Sequence, residues 1–285
     1  MPATATTTPQ GLGPAILARA GTVVYNLTYC TTGGVDLKMD VYHPNELTSA
    51  VPVVVFIHGG GWTSGDKRQA EPVFVDGLRA DGFMVISLNY RLAPEFPYPA
   101  QIEDVKCAVR HLRAEAARYG LDPNAIGAAG TSAGAHLAAM LGVTDAEAGW
   151  DTGAYLEQSS QVSAVVAFFV AADLTLEFPG IAFASSEGAF GASFDAALLK
   201  EASPISYVTA DDAAFLLIHG AQDAFVPPSQ SQILHERLIA AGVESEVVLV
   251  EGGRHAFLAM DYPVQPSREE LTAKSAAFFS LHLRR

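Results

Sequence analysis

The feature that most restricts this chain is a rhythm in which short, unbroken apolar runs alternate with longer helical stretches. The runs cover residues 53–57, 84–88, 126–129, 162–170, 215–218 and 247–250. A strand with one wet face alternates apolar and polar residues, whereas an unbroken run fits a strand buried on both faces. Between the runs, residues 71–80, 102–119, 133–141, 229–241 and 268–283 read as helices. Strands alternating with helices predict an α/β fold, a mostly parallel sheet with helices on both faces. The start of the chain follows another pattern. Residues 22–30 are rich in β-formers, residues 35–41 alternate strictly, and Gly33-Gly34 supplies a turn between them. An antiparallel N-terminal meander therefore joins the parallel part, for eight strands in one domain spanning residues 1–285.

Two segments, 144–160 and 174–202, break the rhythm and read as lid-like insertions. Residues 1–21 read as a flexible N-terminal segment. They lack the basic stretch and long apolar run of a signal peptide, so a cytoplasmic location is expected. The longest apolar stretch, 162–172, is far short of the roughly 18 residues that span a bilayer. The 31 acidic against 17 basic residues give a net charge of −14. Such a surface repels phosphate, which disfavours nucleic acid, anionic membranes and strongly acidic substrates. Two cysteines, Cys30 and Cys107, are too few for a disulfide-stapled scaffold or a CxxC module, and two separate buried thiols are expected.

The sharpest chemical signal is Gly130-Thr131-Ser132-Ala133-Gly134, placed between an expected buried strand and an expected helix. A serine on so tight a strand-to-helix turn is held in a strained conformation that exposes its hydroxyl. A serine hydroxyl needs an adjacent base. Of the eight histidines, His255 follows the last strand in a glycine-rich loop, at the carboxyl end of the sheet where reactive groups gather. Asp223 follows the preceding strand at the same end and can fix the histidine's tautomer. The order Ser132, Asp223, His255 is that of a strand-end nucleophile, acid and base. The other histidines read as structural, no metal-ligand spacing appears, and no cofactor is expected. Directly after the run 53–57 stands His58-Gly59-Gly60-Gly61-Trp62. Backbone amides there can approach a substrate closely, and Gly60 and Gly61, joined by Ala133, are the candidate oxyanion donors. Trp62, Phe183, Phe190 and Phe225 are candidate pocket-lining residues, set against plain packing for the same aromatics.

With these motifs the chain resembles α/β-hydrolase esterases of the HGGG type, broadly the hormone-sensitive-lipase-like carboxylesterases. Asn89-Tyr90-Arg91-Leu92-Ala93-Pro94-Glu95, Phe96-Pro97-Tyr98-Pro99-Ala100 and Asp104 match a stretch common in them, in which the acid at Asp104 is structural. Thr131 stands where that group usually has Asp. Gly134-Ala135-His136-Leu137-Ala138 and the segment 219–227 look closer to a bacterial branch with feruloyl and acetylxylan esterase-like proteins. The resemblance implies a serine carboxylesterase acting on a small-molecule ester of short acyl chain. The alternatives are a feruloyl or acetylxylan esterase acting on plant polysaccharide esters, and an arylformamidase or amidase with the same triad. Relatives that pair through their last strand or helix imply a candidate homodimer edge at residues 247–250.

Overall fold

Each unbroken apolar run becomes a strand of one sheet in the computed structural model, which describes residues 20–46, 50–192, 194–260 and 262–284. All are inner strands except the run 247–250, which lies at the sheet's edge and is only partly buried rather than covered on both faces. The strands are β1 (Val23–Thr32), β2 (Val35–Tyr42), β3 (Val51–Ile57), β4 (Met84–Leu88), β5 (Leu121–Thr131), β6 (Ala164–Phe168), β7 (Ala214–Gly220) and β8 (Ser245–Val250). Their spatial order is β1-β2-β4-β3-β5-β6-β7-β8. The β1/β2 and β2/β4 pairs are antiparallel and all others parallel, as the alternating pattern near the N-terminus predicts. Residues 1–19, which carry nearly all of the expected flexible segment, lie outside the described residues.

Successive residues of the inner strands feed opposite layers. Val53, Val55 and Ile57 join a core with Ile102, Val105 and Val109 of α2 (Ala100–Ala114), Leu137 and Leu141 of α4 (Ala133–Val143), and Leu234 and Leu238 of α7 (Ser229–Ala241). Val54 and Phe56 join a second core with Phe74 and Leu78 of α1 (Pro72–Ala80) and with Leu271 and Phe279 of α8 (Arg268–Leu283). The period-two alternation of side chains thus produces two cores from runs that are apolar throughout. Helix α4 is buried at every residue, as suits a helix apolar on all sides.

Several expectations are corrected. The helix over 102–119 is two pieces, α2 and α3 (Ala116–Tyr119), because the chain breaks at Glu115. Strand β6 ends at Phe168, since Phe169 turns to φ +46° and leaves the sheet. Segment 174–202 holds two short helices, α5 (Pro179–Ser186) and α6 (Ala196–Glu201). Segment 144–160 is anchored to α2, where Asp151 pairs with Arg110 and with Lys106 Nζ at 3.3 Å. Cys30 and Cys107 are not separate thiols but form a disulfide, because the fold packs α2 against β1 and brings their Cα atoms to 6.5 Å.

The topology decides where chemistry can occur. The chain leaves β3 toward β4 on one side and reaches β5 on the other, so the loops after β3 and β5 open side by side at the carboxyl end of the sheet. A crevice at such a switch point is the natural ligand site of an open α/β sheet.

Candidate active site

The turn from β5 into α4 is so tight that no side chain fits two residues before or two residues after Ser132. A Cβ on Gly134 would lie 2.0 Å from the Ile57 carbonyl oxygen, and one on Gly130 would lie 2.3 Å from that of Gly134. Ser132 itself sits at φ +54°, ψ −118°, a conformation costly for any side-chain-bearing residue. The chain is held there by Ser132 N–H donating to the Phe168 carbonyl and by His136 N–H donating to the Ser132 carbonyl, both at 2.9 Å.

The hydroxyl held in this way meets the loops after β7 and β8. Ser132 Oγ lies 3.0 Å from His255 Nε2, and His255 Nδ1 lies 2.7 Å from Asp223 Oδ2. With Nδ1–H donating to the carboxylate, Nε2 is left as an acceptor for the serine proton. Asp223 Oδ1 accepts from the backbone N–H groups of Phe225 and Val226, each at 2.9 Å. Burial alone would raise the pKa of this carboxyl. Hydrogen bonds from His219 and His255, the charge of His255 and the backbone donors outweigh it and hold the group well below the usual carboxylate range. The His255 ring lies between Phe169 and Phe225, with both ring centroids 4.9 Å away.

Ser132 and His255 open into a cavity of about 400 Å³. Its floor includes Gly60 and Gly61, its apolar wall is built from Phe169, Phe183, Phe225 and Leu258, and its rim carries Ser64, Gln69 and Glu71. Among the described residues the amide N–H groups of Gly60, Gly61 and Ala133 have no hydrogen-bond partner in the protein. A larger polar groove of about 910 Å³ opens at the amino ends of β6 and β7, and none of the sequence-predicted site residues lines it.

Two of the four candidate pocket aromatics are placed elsewhere. Trp62 is buried, with its indole Nε1–H donating to His136 Nδ1 at 3.3 Å and its ring against Phe190. Phe190 packs on Trp62, Tyr98 and Phe194. Neither touches the cavity, because both turn into the core above α4 and leave the wall to Phe183 and Phe225. Sequence reasoning missed Phe169, although it follows β6 at the same sheet end as the other site loops. It also missed what His219 touches. That ring is fully buried, accepts from the Ser231 hydroxyl at Nδ1 (2.7 Å), donates from Nε2 to the Val226 carbonyl (2.8 Å), and lies 3.5 Å from Asp223 Oδ2. The spacing of four residues between His219 and Asp223 was the available signal. Asp104 grips Arg91 through its backbone N–H at 2.8 Å and its guanidinium at 2.9 Å, and so fastens the loop after β4 to α2.

Known proteins resemble this chain in sequence and fold over most of its length. The BD-FAE family model matches residues 39–238. Esterase LipC of Mycobacterium tuberculosis is 31% identical over 85% of this chain and 61% of its own length. The chain spans about half the length of the first curated relatives it matches, with shares of 61%, 55% and 44%. A truncated carbohydrate esterase from gut microbiota superposes with a TM-score of 0.81 at 30% identity, covering 96% of this chain and 100% of the other. An esterase of the planctomycete Thermogutta terrifontis superposes at 0.74 with 25% identity, covering 90% of this chain and 91% of the other. The chain belongs to the BD-FAE family and has the α/β-hydrolase fold that the esterases just named share.

Proposed function

We propose that this protein is a carboxylesterase that hydrolyses short-acyl esters in two steps through an acyl-enzyme on Ser132. The observation that carries the reading is the hydrogen-bonded line from Ser132 Oγ through His255 to Asp223, ending in a cavity floored by the triple glycine. In the first step Ser132 Oγ attacks the ester carbonyl carbon and its proton passes to His255 Nε2. Negative charge gathers on the carbonyl oxygen, and the free amides of Gly60, Gly61 and Ala133 are the groups available to hold it. The C–O bond to the alcohol then breaks, and His255 returns the proton to the departing oxygen. In the second step water attacks the acyl group, His255 takes its proton, and Ser132 Oγ recovers a proton as the acid leaves.

Asp223 stays ionised throughout this cycle. It fixes which ring nitrogen of His255 carries the proton and stabilises the imidazolium between transfers. The short-acyl reading is supported by the modest cavity and by the Phe183–Phe225 pair that lines it, with ring centroids 5.9 Å apart. The alternative alcohol class, ester groups on carbohydrate, is supported by the likeness to the gut-microbial carbohydrate esterase.

Two measurements test the reading. A serine-directed fluorophosphonate is expected to label the wild type and not Ser132→Ala. That variant is expected to lose at least about 10³-fold in kcat on 4-nitrophenyl acetate. Near-normal turnover by Ser132→Ala would refute the assignment. Across a series of 4-nitrophenyl esters the rate is expected to peak at short chains, and a peak at long chains contradicts the short-acyl part.

A further inference from the structure

The cavity beside Ser132 has a polar rim that ester hydrolysis as such does not use. Glu71 and Gln69 line it where the chain leaves the triple glycine for α1. Glu71 occupies the position before the helix, yet its side chain makes no bond to the free helix amides. Among the described residues its carboxylate enters no hydrogen bond and no ion pair. The charge it feels is that of Arg268, which donates from Nε to the Phe257 carbonyl (3.0 Å) and from Nη2 to the Tyr262 carbonyl (3.2 Å) and makes no ion pair with Glu71 among the described residues. Burial pushes the Glu71 carboxyl up and Arg268 draws it back. A carboxylate that takes no donor from the protein stays available to one from outside, and its place in the cavity turns that capacity toward a bound ligand.

Gln69 narrows the choice. Its Oε1 accepts from the Asp66 N–H at 3.2 Å, which leaves its NH₂ group without a partner among the described residues. The rim of the same cavity therefore carries both an acceptor-only group, the Glu71 carboxylate, and a donor-only group, the Gln69 NH₂. A hydroxyl satisfies both. An ammonium has only donors and would set its N–H groups against those of Gln69. A short unsubstituted acyl group has no hydroxyl, so the hydroxyl belongs to the alcohol half of the ester.

We propose that Glu71, with Gln69, forms a specificity subsite that binds a free hydroxyl on the alcohol half of the ester, so that esters of polyols are selected over esters of plain alcohols. This rests on the short-acyl hydrolase reading above. The test compares 2-hydroxyethyl acetate, ethyl acetate and acetylcholine in wild type, Glu71→Gln and Glu71→Ala, by titrating released acid. All three esters give the same acetyl-enzyme, so differences in kcat/KM report binding and attack of the alcohol half. In the wild type, 2-hydroxyethyl acetate is expected to exceed ethyl acetate about tenfold, the worth of one hydrogen bond to a charged acceptor. The ratio is expected to fall to near one in Glu71→Ala and to survive in part in Glu71→Gln, which keeps an acceptor oxygen. A wild-type ratio near one, or a ratio untouched in Glu71→Ala, overturns the subsite. Preference for acetylcholine that vanishes in Glu71→Gln overturns the hydroxyl in favour of a cation. Failure of the underlying reading looks different: the wild type then turns over no 4-nitrophenyl acetate, and the subsite falls with it.

Discussion

Asp223 is held by more donors than its partner histidine alone supplies. Two backbone N–H groups and the buried His219 face its carboxylate, so it cannot turn away from His255 without losing them. Asp223→Asn keeps the size of the side chain but brings an NH₂ group against donors and frees His255 to take the other tautomer. The expected result is a loss of about 10³–10⁴ in kcat on 4-nitrophenyl acetate with an unaltered far-ultraviolet spectrum. A loss below tenfold would remove the carboxylate from the proposed cycle. A second residue-scale expectation concerns pH. Burial pushes His136 down to about 4, and burial with Arg118 nearby does the same to His111, from an ordinary value of 6.5. Both are therefore neutral in the fold and protonate more readily once unfolded, so stability is full above pH 6.5 and drains as pH falls toward 4. The upper bound is about 3 kcal/mol per histidine. Urea midpoints at pH 7 and pH 4.5 measure it. His136→Gln, which can still accept from Trp62 and donate to the Ala202 carbonyl, is expected to flatten its share of the slope.

At the scale of elements, what the sequence made legible follows from periodicity and what it hid follows from packing. Helices α7 and α8 and strand β4 coincide with their predicted bounds, because an unbroken apolar run or a long helical stretch is a property of neighbouring residues. The elbow at Ser132 was readable because a glycine two positions to either side is a local demand. Trp62 and Phe190 were not readable as core, since a buried aromatic and a cavity aromatic look alike until the neighbouring loops are placed. Strand β5 begins at Leu121 rather than in the apolar run because Leu121 pairs with Val51 across a register shift. The Cys30–Cys107 bridge joins β1 to α2 across a separation of 77 residues, and no local pattern announces such a partner. Closing a loop of that length constrains the unfolded chain, so Cys30→Ser with Cys107→Ser is expected to cost about 4 kcal/mol in urea unfolding. A cost below about 1 kcal/mol means that the bridge adds little to what packing of β1 on α2 already supplies.

For the molecule as a whole, the sheet separates support from chemistry. The amino ends of β6 and β7 frame a wide polar groove, while the carboxyl ends of β3, β5, β7 and β8 supply the triple glycine, Ser132, Asp223 and His255. Strand β8 lies at the end of the sheet, where residues 247–250 were expected as an edge. The bridge between Cys30 and Cys107 has one more consequence at this scale. It turns β2, β3, α1 and β4, with the triple glycine among them, into a covalent ring from which the rest of the chain hangs. A protease that nicks the backbone once inside that ring separates no fragment. Such a product is expected to run as a single species on a denaturing gel without reductant and as two with it, and two bands in both lanes would mean that the ring is open.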